Sequence, residues 1–553
     1  MKKIMATIFV GLMFFSAFAQ VKVVEGPELN NEEENKMNRM INGENGEFYS
    51  YRIRTKGKGT SFFIEKFEKS SLKAIFSKEV PVPTENTKIL DVRYAAGKVY
   101  VIYRTYIKES ETMTLNYETV SSAGVVSTSG KEFFSRKTDR YEFIDFDITN
   151  NSSNTKIAIK TTYKASKDDQ YKTDFVLFDA VTQKIAWTKT VPKYLKRSNP
   201  WFVWSFKAVE STGFLGFILN ENDDIYYAFN EKLKKDDKKD ERYNAAVEIL
   251  KSESKTPVTV KLDLNPEYLV YDIKFSMNKQ NNLVIAGFFK DIIERKGRDL
   301  VDVGVFSYKI NYETAAVLGK SVKIFDDKIL AALESNQKRA RNMIYKADYL
   351  LPNGDDFYLV GEQYTVAVGS KQGGTIGTIS NVVALSSGAN PFYVGKVFIY
   401  EYMDVIVGKI NAKGDFEWIA NSPLRNGTTT TDNPHVFKQY IATTSSKGVY
   451  LFYNTHVKNA ARLAKADYEP KDLKTSVYIH GTNFVYSKIT PDGKVVHDIA
   501  FKNETYCFAP IQERNIKFLP PEDAEIFVGG GADEIFIYLE DRGKGRFCKV
   551  DMK

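Results

Sequence analysis

Hydrophobic and polar residues alternate along most of this chain, which is the pattern of β-strands that bury one face. Residues 89–94 and 99–104 each show the alternation, and the Ala-Gly-Lys between them has the composition of a tight turn. Aromatic and β-branched residues are frequent in these segments, as expected for side chains that pack on a pleated surface. Helical periodicity is scarce and predicts helices only over 240–252 and 326–342. The pattern therefore predicts an all-β protein.

One unit recurs along the chain: a strand, a short turn, and a second strand that ends in a basic or small residue. Its clearest copies begin at Phe63, Val176, Phe306, Val407 and Tyr486. Including weaker copies, eight anchor positions mark the units: Lys66, Glu118, Phe178, Phe229, Lys309, Lys409, Lys488 and Cys548. Self-similarity of this kind is typical of repeat architectures, in which each unit buries its apolar face against its neighbours.

A repeated β-unit in a chain of 553 residues predicts a closed β-propeller with long decorated loops. The seven intervals between the anchors predict seven blades, with six and eight as the alternatives. The final unit, 546–551, stops after its first strand. We therefore predict that strands at 47–54 and 61–68 complete the last blade, because such closure removes exposed sheet edges.

Two copies of the unit carry a family resemblance. Residues 178–187, Phe-Asp-Ala-Val-Thr-Gln-Lys-Ile-Ala-Trp, and 410–418, Ile-Asn-Ala-Lys-Gly-Asp-Phe-Glu-Trp, resemble the tryptophan-docking repeat of quinoprotein-like β-propellers. Gln183 stands where that repeat has glycine, and other copies replace the tryptophan, as His497 does. The resemblance implies the propeller architecture. It does not carry over the quinone cofactor, since adjacent cysteines and a calcium-binding carboxylate set are missing, so we predict no cofactor and no metal.

The N-terminus has the pattern of a cleaved signal peptide. Lys2 and Lys3 precede an apolar run over 4–15, and Ser-Ala-Phe-Ala supplies small residues before Gln20. The alternative, a membrane anchor, needs roughly 20 apolar residues. We predict a signal peptide at 1–19, a flexible leader at 20–46, and a propeller at 47–553. The protein would be exported to the periplasm or outer membrane, or secreted.

Net charge indicates which classes of partner the protein can bind, and the cysteines indicate whether a disulfide can form. The formal net charge is +8, spread over a long chain, which does not favour nucleic-acid binding. No run of 18 apolar residues follows the signal peptide, so we predict no transmembrane segment in the mature chain. The two cysteines, Cys507 and Cys548, would form a disulfide in an oxidising compartment; two buried thiols are the alternative.

No constellation of residues predicts a reaction. The four histidines lie in the C-terminal third: His435, His456, His480 and His497. None has the helical i, i+4 spacing of a metal site, so core or surface positions are favoured. Asp145 with Asp147, or Asp223 with Asp224, could make a glycosidase pair, but the sequence selects no pair among the 70 acidic residues. We predict no catalytic residues and no metal site.

The resulting functional hypothesis is a non-catalytic envelope propeller that binds a partner protein. Its contact surface would comprise Trp201 and Trp204, which lie in an aromatic run, and insertions at 230–260, 325–345 and 365–395. A periplasmic accessory or plug of an outer-membrane protein-export assembly is one specific role. The alternatives are a propeller glycan hydrolase or lyase, and an extracellular ligand-binding protein.

Overall fold

The described residues form 35 strands, arranged in eight sheets that are antiparallel except for one short parallel pair, and one helix, α1 (Val457–Lys465). The computed structural model describes 21–552 except 31–34, 57–58, 84–85, 128–129, 138–144, 165–170, 192, 194, 198–211, 233–242, 292–302, 327–328, 330–343, 373–374, 378–395, 431–439, 466–471, 475–481, 502–506, 509–527, 530–532 and 542–543. We number the sheets 1 to 8 along the chain. The predicted all-β class is confirmed, and the predicted seven blades are wrong because there are eight.

Sheets 1 to 4 occupy the first half of the chain. Sheet 1 consists of β2 (Asn35–Asn42), β3 (Glu47–Lys56), β4 (Gly59–Glu68) and β5 (Ala74–Val80). Sheet 2 consists of β6 (Thr87–Ala95), β7 (Lys98–Ile107), β8 (Thr112–Ser121) and β9 (Lys131–Lys137). Sheet 3 consists of β10 (Asp145–Asn150), β11 (Lys156–Lys164), β12 (Tyr171–Asp179) and β13 (Lys184–Val191). Sheet 4 consists of the short parallel β14 (Leu195–Arg197), β15 (Thr212–Leu219), β16 (Ile225–Lys232), β17 (Tyr243–Leu250) and β18 (Val258–Leu262).

Sheets 5 to 8 occupy the second half, and sheet 8 also takes β1 (Lys22–Asn30). Sheet 5 consists of β19 (Tyr268–Met277), β20 (Leu283–Asp291), β21 (Val303–Ile310) and β22 (Val317–Ile324). Sheet 6 consists of β23 (Ile344–Asn353), β24 (Asp356–Gln372), β25 (Thr375–Gly377), β26 (Lys396–Ile410) and β27 (Phe416–Thr430). Sheet 7 consists of β28 (Tyr440–Ser445), β29 (Gly448–His456), β30 (Thr482–Ile489) and β31 (Val495–Phe501). Sheet 8 consists of β32 (Cys507–Phe508), β33 (Val528–Gly529), β34 (Glu534–Asp541), β35 (Lys544–Asp551) and β1.

The last sheet combines strands from both ends of the described chain. Strand β35 pairs with β34 on one side and with β1 on the other, so β1 is the outermost strand of sheet 8. The predicted flexible leader at 20–46 is therefore wrong, because it contains β1 and β2. The strands predicted at 47–54 and 61–68 to complete the last blade are β3 and β4, which belong to sheet 1.

The wrong blade number has a simple origin. Each of the eight anchors lies in a different sheet, from Lys66 in sheet 1 to Cys548 in sheet 8. In most sheets the recurring unit is the third strand, the following turn and the fourth strand. The sequence prediction merged the first and last units into one blade. Instead, β1 completes sheet 8 and leaves sheet 1 with four strands of its own.

The hydrophobic core lies between the sheets. Eight clusters of buried residues are present, one between each pair of consecutive sheets and one between sheet 8 and sheet 1. Strand β20 is buried along its whole length, because sheets pack on both of its faces. The outer strand β22 of the same sheet is exposed at every second residue. Face-to-face packing of four-stranded sheets with these buried inner strands defines a β-propeller.

Two further sequence predictions need correction. The helix predicted at 240–252 is largely strand β17, since its apolar residues satisfy a buried strand equally well.

The predicted disulfide is not formed: Cys548 is a free, buried cysteine. Backbone pairing puts Cys507 opposite Glu540 of β34, and Cys548 lies one strand further away, opposite Ile537. Two strand spacings amount to about 9.5 Å, which exceeds the Cα separation of a disulfide.

Candidate functional site

The propeller has two unlike faces, which follow from the strand order. The turns after first strands meet from sheet to sheet, as where Ala96 N donates to Asn154 O at 2.8 Å. Because the main strands of each sheet are antiparallel, the turns after first and third strands lie on one face. We call this the turn face. The connections after second and fourth strands lie on the opposite face, which we call the loop face.

The turn face is made of short connections. They range from 96–97, between β6 and β7, to 122–130, between β8 and β9. In several of them an asparagine side chain accepts backbone N–H groups across the turn; for example, Asn278 Oδ1 accepts from Gln280 N at 3.0 Å and from Asn282 N at 2.8 Å. Asparagine is favoured there because it replaces backbone partners in a tight turn. Side-chain hydrogen bonds thus hold several of these turns in a defined shape.

Neighbouring sheets are tied together at the turn face. The Lys309 Nζ donates to the Ala412 carbonyl of the next sheet at 2.9 Å. The Trp418 Nε1–H donates to the Pro491 carbonyl of sheet 7, also at 2.9 Å, and its ring lies against Gly493. The recurring basic and tryptophan positions seen in the sequence therefore serve contacts between sheets.

Six connections of ten or more residues begin and end on the loop face. They join strands β13 to β15, β16 to β17, β20 to β21, β22 to β23, β24 to β26, and β29 to β30, at 192–211, 233–242, 292–302, 325–343, 373–395 and 457–481. A further 19 residues, 509–527, separate β32 from β33, which both pair with β34. Of the predicted insertions, 230–260 contains the strand β17 and the start of β18, and 365–372 belongs to β24. The three predicted insertions nevertheless all contribute a connection to the loop face.

A β-arm projects from sheet 6 on the loop-face side. Strand β24 is 17 residues long, whereas the second strands of the other sheets have 8 to 10. Beyond Tyr364, where pairing with β23 ends, β24 continues to pair with β26, and β26 with β27. We define the arm as 365–372, 396–401 and 427–430. Its extension of about eight residues reaches roughly 25 Å.

The arm is rich in apolar residues. In the backbone register Val366 is opposite Tyr400, Ala367 is opposite Ile399, and Val368 is opposite Phe398. Between Lys371 and Lys396 the sequence contains no charged residue. An arm of this composition is typical of a contact element rather than of a solvated hairpin.

The inner strands carry buried charges at β-bulges. The Asp91 carboxylate follows a bulge in β6, is fully buried, and pairs with Arg39 of sheet 1 and with Arg93. The Arg93 guanidinium also donates to the Ile148 carbonyl of sheet 3 at 2.7 Å. One carboxylate thus joins three consecutive sheets through two arginines.

A second buried group lies between sheets 5, 6 and 7. Asp348 accepts a hydrogen bond from the Tyr440 hydroxyl at 2.7 Å, and Lys346 lies 3.6 Å from the same carboxylate. Burial raises the pKa of the nearby Asp272 side chain, although Lys274 and Lys346 oppose this shift. Such compensated charges are typical of structural ion pairs. Among the described residues, no group of three His, Cys, Asp or Glu could hold a metal ion.

The sequence-predicted site residues do not converge. Trp201, Trp204, His435 and His480 lie outside the described residues. His456 ends β29, and its Nδ1 accepts from Lys458 N at 3.1 Å at the start of α1. The other two candidates are carboxylates in separate ion pairs, Asp147 with the buried Lys160 and Asp223 with Lys156.

His497 belongs to a buried polar network in sheet 7. Its Nδ1 lies 2.7 Å from the Ser487 hydroxyl, which also contacts the hydroxyls of Tyr453 and Ser422 at 2.8 Å. Burial lowers the pKa of His497 from 6.5 to about 4. The imidazole is therefore neutral at neutral pH and acts as a hydrogen-bonding core residue.

This pKa shift predicts a specific loss of stability in acid. Between pH 6.5 and about 4 the unfolded chain binds a proton at His497 and the folded chain does not, so stability falls as the pH falls. Between pH 7 and pH 4, we expect the free energy of unfolding to fall by about 2–3 kcal/mol less in His497→Gln than in wild type. Urea unfolding of wild type and variant at pH 7 and pH 4 measures it. The matched control is His456→Gln on the partly exposed His456. An unchanged pH dependence in His497→Gln would contradict the buried neutral state.

The fold and this face asymmetry define the class of protein: an eight-bladed β-propeller with one elaborated face. No protein-family model and no curated protein matches the chain. The similar solved structures include the Dos1 propeller, with 10% identity over 95% of this chain and 94% of that one and a TM-score of 0.36. The polysaccharide lyase Uly1 shows 9% identity over 79% and 94%, with a TM-score of 0.36. The WD40 domain of SCAP from fission yeast shows 7% identity over 78% and 92%, with a TM-score of 0.33.

These neighbours have unlike roles, and at this similarity they say nothing about the activity of the present chain. Its assignment to the propellers rests on its own sheet topology. Within the described part of the chain, no helix has the length and apolar character needed to cross a membrane.

Proposed function

We propose that this protein is a non-catalytic interaction subunit that presents its loop face to a partner protein. The observation that carries the proposal is the contrast between the faces: tight turns on one side, and long connections with a projecting arm on the other. Connections positioned by a rigid scaffold are where proteins place their binding residues. The arm is rich in apolar residues, and its uncharged stretch runs from 372 to 395 in the sequence.

The compartment forms part of the same proposal. A positive start, a short apolar run and small residues before Gln20 support export by a cleaved signal peptide. The mature chain would then act in the periplasm or at the outer membrane. The specific role that we propose is an accessory or plug of an outer-membrane protein-export assembly, in which a rigid disk docks on a membrane complex.

Shortening the arm tests the proposal. Thr365 and Glu401 are direct partners in the register, so 366–400 can be replaced by an Asn-Gly turn that closes the hairpin at that pair. The buried Tyr364 and Tyr402, whose rings lie 5.8 Å apart, stay in place and keep the body of sheet 6 intact. We expect tagged full-length protein, purified from gently solubilised envelope, to bring a partner with it, and the shortened variant to lose at least 90% of that partner.

The matched control is Lys494→Glu in the exposed 490–494 turn on the turn face. It should recover as much partner as wild type does. Thermal unfolding of all three proteins checks that the shortened chain remains folded. Recovery of the wild-type protein alone, or equal partner recovery with and without the arm, would refute docking through the loop face.

A further inference from the structure

Strand β22 concentrates exposed apolar residues on the outer rim of the propeller. Four large apolar side chains of this eight-residue strand are 38–51% exposed: Val317, Leu318, Val322 and Ile324. Among the described residues, no other outermost strand has more than one exposed side chain of this kind. Single exposed apolar residues are ordinary, but four on one strand mark a contact surface.

The packing of β22 explains why one of its faces is free. Gly319 lies against the Lys413 backbone of sheet 6, and the Ser321 hydroxyl accepts from Phe416 N at 3.3 Å. From Gly319 onwards, odd-numbered residues therefore face sheet 6. Because side chains alternate along a strand, Lys320, Val322 and Ile324 share the opposite face, whereas Val317 and Leu318 lie at a β-bulge opposite Ile310.

The backbone of the same strand offers an open edge. Strand β22 ends the order β19-β20-β21-β22, so β21 covers only one of its edges. Phe325 N donates to Val303 O at 2.9 Å, which makes 325–303 a hydrogen-bonded pair of the antiparallel ladder. By alternation, the odd residues bond to β21, whereas Lys320, Val322 and Ile324 direct N–H and C=O outwards. Within the described part of the chain, apolar side chains and backbone groups without a strand partner thus occupy the same few residues.

Charge limits which strand can pair there. From 315 to 325 the sequence contains Lys320 and Lys323 and no acidic residue. Lys320 is 37% exposed and reaches Asp263 of sheet 4 at 3.1 Å, and Asp263 itself is almost fully exposed. Pairing of two β22 strands would bring four lysines together, which like-charge repulsion opposes. A strand that carries carboxylates would instead be attracted.

We propose that β22 is a docking edge for an extended segment of a partner protein in which apolar residues alternate with acidic ones. The segment adds a strand to sheet 5, places its apolar residues on the face of Val322 and Ile324, and places its carboxylates on the opposite face, where the Lys323 Nζ also donates to the Phe416 carbonyl at 2.9 Å. Main-chain bonds supply affinity, and the side chains supply selectivity. This surface is separate from the loop face, so the inference goes beyond the proposed function.

Synthetic peptides test the chemistry directly. The probe is an eight-residue capped peptide that alternates valine with glutamate, and the control peptides replace glutamate with lysine or valine with serine. We expect the acidic probe to bind full-length mature protein at least tenfold more tightly than either control, by calorimetry. Hydrogen exchange should show new protection at the Lys320, Val322 and Ile324 amides.

Variants of the protein separate strand addition from simple surface adhesion. Val322→Pro removes one outward N–H and no ladder bond, so the fold should persist while probe affinity falls at least tenfold. The matched control is Ile75→Pro on β5, an outermost strand of sheet 1 whose Ile75 is 51% exposed. It should change affinity less than twofold. Equal binding of acidic and basic probes, protection elsewhere than on β22, or self-association through β22 in sedimentation experiments would each overturn the proposal.

Discussion

Deletion of residues 21–30 is expected to be the most damaging small truncation of this protein. It removes β1, which is the fourth strand of sheet 8, and with it Val21, which is buried against sheets 7 and 8. Partly buried Val23 and Leu29 pack on the same clusters. Loss of these contacts and of the ladder should lower the free energy of unfolding by on the order of 5 kcal/mol. Urea unfolding of the mature and truncated chains, followed by tryptophan fluorescence, measures the loss.

The control separates the strand from its charges. Glu25 and Glu28 pair with Arg546 and Lys544 across the β1–β35 ladder, and all four side chains are partly exposed. Glu25→Gln with Glu28→Gln should therefore cost only about 1 kcal/mol. If the truncation costs no more than this double variant, β1 contributes little to sheet 8 and the two-ended sheet is wrong.

Asp91→Asn is expected to have the second-largest effect. The substitution keeps the shape of the side chain but removes the charge that Arg39 and Arg93 share. The Arg39 side chain is 7% exposed and that of Asp91 is fully buried. Water therefore cannot solvate the positive charge that the arginines would carry without their carboxylate partner. Breaking one partner of a buried ion pair typically costs 3–5 kcal/mol, and we expect a loss of about that size in urea unfolding.

A matched aspartate tests whether the arginines matter. Asp498 in the outer strand β31 accepts from the next backbone N–H at 2.7 Å, as Asp91 does from Val92 N. Asp498→Asn should cost less than about 1 kcal/mol, because both residues can keep this local hydrogen bond and only Asp91 bridges arginines. Similar losses for the two variants would show that the inner charges do not hold sheets 1, 2 and 3 together.

The repeat itself could be identified from residues alone. Copies such as 306–320 and 407–418 correspond to third and fourth strands of their sheets, because a strand, an Asn-centred turn and a second strand leave a local mark. The number of blades could not be obtained in this way. It depends on which strand pairs with β35, and the β1 partners are 514 or more positions away in sequence. Its sequence, with Pro27 and two glutamates, has the composition of a polar leader.

The contact surfaces, too, could be predicted from the sequence only in part. The sequence located insertions, but their common position on the loop face follows from the parallel arrangement of the first strands. The exposed side chains of β22 look in sequence like those of any half-buried strand. Only the position of β22 at the edge of sheet 5 makes them a surface.

By itself, the alternation of side chains determined that this protein is all-β and built from recurring strand pairs, because a period of two is a local property of the chain. The tertiary structure alone decided that there are eight sheets, that Cys507 and Cys548 are not joined, and that Asp91 is shared by two arginines. Those features depend on contacts between residues far apart in sequence, whose pairing is selected by the burial of whole sheets against one another.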